Sequence, residues 1–357
     1  MRGAQIGAAF MFCLVCGTVS AQPNILEFVG AGICNASAAI AIDENRIMVG
    51  DDEKSLLPIF DLPSLRFLES TDFGGGEADI EGGTILQGRV IWIASHGRNS
   101  NGKVRPDRQR LFASHRIGEV GKLTVSSPVV FSGLLRAITA NAGNDPTYRR
   151  LSASIGTEAT DAALAPKANG FNIEGLTTTE GLEQPPPVTP GLLIGLRNPD
   201  TESGRAILFE VLSAIALVDG SSDQAQLGRT FQLDLGGRRI RDIAFSPAAG
   251  AYLIIGGPVG DSADKPRDGG PAFAIFKWNG RIDAQPERVD SFGILDALEE
   301  FHAEAILPLL SRVDGKLVPS NRVLLISDDG KHMIGGKLCN DLPSSQRRFR
   351  GLISQVE

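Results

Sequence analysis

One short pattern recurs along the chain and constrains the fold more than any other feature. An apolar segment that carries a polar or acidic side chain is followed, after a gap, by a strand-like run that ends in polar residues. The two clearest copies contain Asp79-Ile80-Glu81-Gly82 and Asn172-Ile173-Glu174-Gly175. Weaker copies begin near Ser37, Asp242 and Glu304, and further strand candidates fill the gaps. Repeats of four strands are typical of a β-propeller.

We therefore predict an all-β fold, a β-propeller of about five four-stranded blades. The last repeat lacks an outer strand, and Ile25 to Val29 could supply it and close the ring. An Ala- and Ser-rich stretch near residues 133–168 predicts a small helical insert. Six blades are the alternative, in which this stretch hides degenerate strands. The 42 glycines among 357 residues exceed the usual share of about 7% and agree with many tight turns.

Residues 1–21 have the features of a secretory signal peptide. Arg2 precedes an apolar run from Ile6 to Val15, and small residues allow cleavage after Ala21. The run is shorter than the roughly 20 residues of a transmembrane helix. We predict export to the periplasm or the medium, no membrane association after cleavage, and one propeller domain over residues 22–357.

Two cysteines remain after this cleavage, Cys34 and Cys339, one near each end of the mature chain. An oxidising compartment favours a disulfide between them, which would join the two ends of the ring. Two unpaired buried thiols are the alternative.

The formal net charge of −7 argues against a nucleic-acid partner, because binding to phosphate backbones requires basic surface. We expect a small molecule or a protein as the partner instead.

The topology of a propeller predicts where this partner binds. Each inner strand begins at the face of the ring to which the second strand returns, so both sets of end residues should line the mouth of the central channel. The first set contains the acids Glu81, Glu174, Asp242 and Glu304, with Asp79 and Asn172 nearby. The second set contains Asp51, Asp52, Glu53, His96, Arg98, Asn99, Arg197, Asn198, Asp328 and Asp329.

Converging carboxylates repel one another unless something offsets their charge. Calcium or another divalent cation could bind the four acids of the first set through their oxygens. Alternatively, arginines such as Arg197 or Arg241 could pair with them, or an acid could hold a proton and act as a general acid or base. An inner-strand acid could also only accept hydrogen bonds from the backbone of the next blade.

Several of these motifs together resemble the bacterial domain of unknown function 3616 family. They are residues 77–82, 95–99, 171–176, 195–199 and 235–244, and the resemblance spans most of the mature chain. It implies an exported, propeller-like protein and brings no established activity. A looser similarity to exported propellers with phytase-like esterase annotation rests on the Ile-Glu-Gly segments.

Two functions follow from these expectations. We favour an exported propeller that binds a small molecule or partner at the channel rim, with Asp79, Asn99, Asn172, Asn198 and Asp328 as binding residues. The alternative is a metal-assisted hydrolase of phosphate or carboxyl esters. In it the four acids hold the cation, Arg98 and Arg197 clamp an anion, and His96 moves a proton.

Overall fold

The recurring sequence pattern corresponds to a ring of four-stranded antiparallel sheets in the computed structural model of the chain. The structure describes residues 25–74, 78–118, 122–126, 128–167, 169–183, 189–260, 266–289, 295 and 300–356. The predicted signal peptide lies outside these residues.

The described residues form three α-helices and 22 strands. In chain order they are β1 (Ile25–Val29), β2 (Ala36–Ala41), β3 (Arg46–Asp51), β4 (Leu56–Asp61), β5 (Arg66–Asp72), β6 (Ile80–Leu86), β7 (Arg89–Ala94), β8 (Leu111–Ile117), β9 (Leu123–Val125), β10 (Asn172–Thr178), β11 (Leu192–Asn198), β12 (Ala206–Val211), β13 (Leu227–Leu233), β14 (Arg239–Ser246), β15 (Ala251–Gly257), β16 (Ala274–Trp278), β17 (Glu287–Arg288), β18 (Ala303–Val313), β19 (Lys316–Ser327), β20 (Met333–Ile334), β21 (Lys337–Leu338) and β22 (Arg348–Gln355). The α-helices are α1 (Leu134–Ala140), α2 (Pro146–Ile155) and α3 (Ala214–Val218). Single 3₁₀ turns cover Pro106–Arg108, Ala162–Leu164, Thr179–Gly181, Cys339–Asp341 and Ser344–Gln346.

The described strands form five blades, each ordered from the channel outward. Blades 1 to 4 are β2–β5, β6–β9, β10–β13 and β14–β17, and blade 5 is β18, β19, β22 and β1. A parallel pairing of Val29 in β1 with Arg66 in β5 joins blades 5 and 1 into one eight-stranded sheet. The innermost strands β2, β6, β10, β14 and β18 contact one another in a closed ring. The prediction of a five-bladed propeller is confirmed, and six blades are not formed by these residues.

The two ends of the chain close the ring in blade 5. β1 supplies the missing outer strand, as predicted, and pairs antiparallel with β22. In this pairing Phe28 lies opposite Phe349. The Phe28 and Phe349 rings stack with centroids 5.0 Å apart, and Phe60 of blade 1 meets the edge of both. This aromatic group joins blades 5 and 1 at the point of closure.

Each pair of neighbouring blades shares an apolar core, and glycines let the inner strands approach closely near the axis. A Cβ on Gly82 would lie 2.7 Å from the Leu176 Cβ of the next blade. A Cβ on Gly175 would lie 2.9 Å from Ile243. These contacts are too short for any residue but glycine, so part of the high glycine content is explained by inner-strand packing.

The predicted helical insert lies between β9 and β10 and covers the junction of blades 2 and 3. Leu134, Ile138 and Leu151 of α1 and α2 belong to the same buried core as Ile93 of β7. Asp145 caps α2 by accepting a hydrogen bond from the Thr147 backbone N–H at 2.6 Å. No described helix has the length and apolar character needed to cross a bilayer.

The predicted disulfide between Cys34 and Cys339 is present, with the two Cα atoms 6.1 Å apart. Cys34 lies in the segment that leads from β1 into β2, and Cys339 lies in the turn between β21 and β22. The bond therefore joins blade 5 to the start of blade 1 and does not lie within one blade.

Candidate functional site

Each of the five inner strands contains a β-bulge near its start, which the sequence does not reveal. In each of them the pairing with the second strand skips one residue near the strand's start, which is the mark of a β-bulge. The skipped residues are Ser37, Glu81, Glu174, Arg241 and Glu304. We call these the bulge positions, and they are equivalent around the ring.

A polar cavity of about 500 Å³ lies at this end of the channel, and we call it the channel mouth. Four of the five bulge positions line it, together with residues that follow second strands. Its charged lining residues are the acids Asp52, Glu53, Glu81, Glu174, Glu304 and Asp328 and the bases Lys167, Arg197, Arg241 and Lys331. The other end of the channel holds a smaller, mainly apolar cavity, lined by residues such as Ile40 and Leu176.

Two arginines and two glutamates form a continuous ion-pair network on one side of the channel mouth. Arg197 Nη1 lies 2.6 Å from Glu174 Oε1, and Arg241 Nε lies 2.9 Å from Glu174 Oε2. Arg241 also donates two hydrogen bonds to Glu304, one of them from Nε to Oε2 at 2.8 Å. Burial alone would lower the pKa of Arg241, but Glu174 and Glu304 raise it, so the guanidinium stays charged. When both glutamates are ionised, the network balances two positive and two negative charges.

Asp242 does not belong to the ring of channel acids in which the sequence placed it. Its Oδ2 accepts a hydrogen bond from the Ile306 backbone N–H of blade 5 at 2.8 Å, and its Oδ1 accepts one from Ile243. Arg241 takes the bulge position of blade 4 instead. The ring of four carboxylates is therefore replaced by three carboxylates and a guanidinium, and Asp242 links the backbones of two blades.

Glu81 is the exception among the glutamates at the bulge positions. It is partly exposed in the channel mouth. Within the described residues no group donates a hydrogen bond to its carboxylate, and no cation pairs with it. Burial, followed by the charges of Glu174 and Asp79, raises the pKa of Glu81 well above its ordinary value. Its carboxylate is available to a bound molecule.

Further oxygen atoms without donors lie on the same side as Glu81. Asp52 Oδ1, Asn35 Oδ1 and Asn340 Oδ1 are buried and have no hydrogen-bond partner among the described residues. All three residues line the channel mouth. Asn35 and Asn340 directly follow Cys34 and Cys339, so the disulfide brings the two amides together. Sequence reasoning missed both asparagines, although the repeated Cys-Asn pair was a usable signal.

The acids of this side disfavour one another's ionisation. Burial and the charge of Asp328 raise the pKa of Asp52 well above its ordinary value, and burial raises that of Asp328. Asp328 also accepts a hydrogen bond from the Gly330 backbone N–H at 2.9 Å. The channel mouth thus has a charge-balanced side and an acceptor-rich, acidic side.

The remaining predicted binding residues lie outside the channel mouth or support it indirectly. Asn172 donates a hydrogen bond from Nδ2 to Glu174 Oε1 at 2.9 Å and so orients that carboxylate. Asp79 pairs with Arg108 at 3.0 Å. Asn99 accepts hydrogen bonds from the backbone N–H groups of 101 and 103 within its own loop, and Asn198 donates to Pro166 O.

His96 and Arg98 lie in a different place from the one predicted. They line a cavity of about 690 Å³ between blade 2 and the helical insert, which we call the side cavity. The His96 backbone has a φ of +56°. Arg197, the third residue of the predicted catalytic set, lines the channel mouth, so the three are not assembled at one site.

The described residues do not form a metal centre. No group of three or more His, Cys, Asp or Glu side chains among them is arranged to hold a metal ion. Arg241 at the bulge position explains this, because its positive charge occupies the place expected for the fourth acid. Binding of calcium or another divalent cation stays a prediction.

No protein-family model matches the sequence, and no curated protein matches it. The resemblance to the domain of unknown function 3616 family stays a prediction. Among solved structures, a glutaminyl cyclase from Myxococcus xanthus aligns with 94% of this chain and 97% of its own, at 11% identity and a TM-score of 0.40. The PQQ-bound form of an aldose sugar dehydrogenase from Streptomyces coelicolor aligns over 94% and 99%, at 11% identity and a TM-score of 0.39. At these values neither likeness bears on function.

Proposed function

We propose that this propeller binds a small organic cation, a molecule with one or more primary amines, in the channel mouth. The observation that carries the proposal is the unpaired carboxylate of Glu81, which faces a cavity whose other glutamates at bulge positions are paired with arginine. A carboxylate in a partly desolvated site gains most from a charged donor. An ammonium group supplies the charge and three N–H donors.

The surroundings of Glu81 favour the same class of ligand. The buried oxygens of Asp52, Asn35 and Asn340 accept hydrogen bonds and have none within the described residues. A buried acceptor without a donor costs about 1–3 kcal/mol, so a ligand that donates to these atoms recovers that free energy. The lining holds six acids and four bases, and a bound cation favours the ionised form of the acids whose pKa is raised.

The ion-pair network on the opposite side of the channel mouth also favours a cationic ligand, because its arginines are already paired with carboxylates. Arg197 and Arg241 already pair with Glu174 and Glu304 and also donate to the carbonyls of Val259 and Pro258. An anionic ligand would have to compete with these buried carboxylates for the guanidinium groups. The alternative function, metal-assisted ester hydrolysis, stays a prediction with less support, because His96 and Arg98 line the side cavity.

Thermal unfolding with a matched pair of probes tests the proposal. Putrescine carries two amines on a four-carbon chain, and 1,4-butanediol has the same length without charge. We expect putrescine to raise the melting temperature of the mature protein and butanediol to leave it unchanged.

Two substitutions locate the effect. Glu81→Gln should remove the response to putrescine, while Glu180→Gln, at the apolar end of the channel, should retain it. Equal responses to both probes, or an undiminished response in Glu81→Gln, would overturn the proposal.

A further inference from the structure

The side cavity between blade 2 and the helical insert is separate from the channel mouth and has its own chemistry. Its walls come from the loop that follows β7 and from α1, α2 and the residues after α2. Apolar side chains such as Val104, Leu135 and Phe171 form part of the lining. At about 690 Å³ the cavity has room for a small organic molecule.

His96 presents an unsatisfied acceptor in this lining. Its Nδ1 lies 2.8 Å from the Ala94 carbonyl oxygen. A carbonyl can only accept, so Nδ1 carries the proton and Nε2 has a free lone pair. His96 is 3% exposed, and Nε2 has no hydrogen-bond partner among the described residues. Burial lowers the pKa of His96 to about 4, which keeps the ring neutral at physiological pH.

The backbone at His96 also carries strain. A φ of +56° is uncommon for a residue other than glycine, and such strained conformations cluster at functional sites. The His96 N–H donates to Arg108 O at 3.1 Å and helps to hold this conformation. The chain thus keeps an unusual backbone geometry that positions an imidazole with a bare Nε2.

Two of the three arginines in the same lining, Arg98 and Arg136, lack carboxylate partners among the described residues, whereas Arg105 pairs with Asp107. Arg98 is buried and donates to the carbonyls of Ile155 and Gly102, at 2.7 Å and 2.8 Å for its shortest bonds. Neither partner is charged, and not all of the five guanidinium N–H groups are used. Arg136 of α1 is exposed at the cavity and has no ion pair within the described residues. The only acid in the described lining is Glu158.

We propose that the side cavity binds a small carboxylate that has an apolar body and a hydroxyl or amide donor. The carboxylate would lie near Arg98 and Arg136, and the apolar body against Leu135 and Phe171. The donor would give its hydrogen to His96 Nε2. This site is independent of the amine site in the channel mouth, because the two cavities have no lining residue in common.

Nitrogen NMR of the imidazoles tests this proposal on the mature protein labelled at histidine. The chain has four histidines, so each resonance can be identified by a single substitution. Mandelate combines the carboxylate, hydroxyl and apolar ring, phenylacetate lacks the hydroxyl, and mandelamide lacks the charge. We expect mandelate to shift His96 Nε2 and to bind about tenfold more tightly than either analogue.

The other histidines and matched variants serve as controls. His115, on β8, and His302, at the channel mouth, should not shift with mandelate. Arg136→Gln should weaken mandelate binding about threefold to tenfold, while Arg149→Gln, an exposed arginine on α2 outside the lining, should leave it unchanged. His96→Asn should keep the backbone conformation, because asparagine tolerates a positive φ. It removes Nε2 and should therefore abolish the preference for mandelate over phenylacetate.

An unmoved His96 resonance at millimolar mandelate would overturn the proposal. So would equal affinities for the three probes, or equal effects of the Arg136 and Arg149 substitutions. Putrescine should shift His302 and not His96, so failure of one site is distinguishable from failure of the other.

Discussion

Arg241 and Glu174 occupy equivalent bulge positions on neighbouring inner strands, and Arg241 Nε lies 2.9 Å from Glu174 Oε2. The same structural position thus supplies opposite charges in blades 3 and 4, and Glu304 continues the series in blade 5. This alternation neutralises one side of the channel mouth and leaves Glu81, in blade 2, without a partner.

Removal of Arg241 should destabilise the protein strongly. Arg241→Met leaves Glu174 and Glu304 buried without a full set of partners, which costs about 3–5 kcal/mol in comparable cases. Denaturant unfolding measures the loss. As a control, Arg267→Met removes an exposed pair with Asp234 and should cost less than about 1 kcal/mol. Equal losses would show that the buried network contributes no more than a surface pair.

Asp242 should matter for stability and not for ligand binding. Asp242→Ala removes the acceptor of the Ile306 N–H, which links blades 4 and 5, and should cost about 1–3 kcal/mol. Putrescine binding, measured under conditions where the variant is folded, should match that of the unsubstituted protein. A variant of full stability that loses binding would place Asp242 in the site and contradict its assignment as a link between blades.

The disulfide should stabilise the closed ring. Cys34 and Cys339 are separated by 305 residues, and a loop of that length implies up to about 5 kcal/mol of stabilisation in the chain-entropy description. The double substitution of both cysteines by serine should lower the unfolding free energy by about 2–5 kcal/mol. It should also weaken putrescine binding, because Asn35 and Asn340 adjoin the bond. A loss of stability with unchanged binding would show that their amides do not serve the site.

Stability should fall as the pH rises from about 5 to 8. Burial raises the pKa of Asp51 and of Glu304 to about 7, above the values of roughly 4 in an unfolded chain. The folded state therefore binds more protons than the unfolded state in this window. The contribution of these two carboxyl groups to the free energy of unfolding is complete below about pH 4 and is lost as the pH rises through about 7.

The melting temperature measured across this range checks the sign. Asp51→Asn retains an acceptor for the N–H groups of Glu53 and Lys54 and removes the titration, so its melting temperature should vary less with pH. A melting temperature that rises from pH 5 to 8 in both proteins would contradict the assignment of raised pKa values.

Much of the fold followed from the sequence, because a propeller repeats one local pattern. The recurring strands predict about five blades, with six as the alternative, and the strand Ile25–Val29 matches the gap in the last repeat. Export and the same closure favour the Cys34–Cys339 pairing over two unpaired thiols, and the disulfide is present. Each of these inferences depends on chain order and on patterns that every blade shares.

The errors arose where local geometry breaks the repeat. The charge of Asp242 aligns it with the glutamates, but the bulge places Arg241 at the equivalent position. A one-residue shift reverses which side chain faces the channel. The position of His96 after a second strand predicts a place at the rim. His96 lines the side cavity instead, where its φ is positive and the helical insert packs, and neither feature is visible in a single repeat.

The most direct test of the amine site is a calorimetric titration with putrescine after dialysis against chelator, in two buffers of different ionisation enthalpy. We expect a saturable heat, and we expect proton release that disappears in Glu81→Gln, because the bound cation favours the ionised form of a carboxylate whose pKa is raised. Binding should strengthen as the pH rises. An absence of heat, an equal response to 1,4-butanediol, or binding that needs added calcium would contradict an amine site built on Glu81.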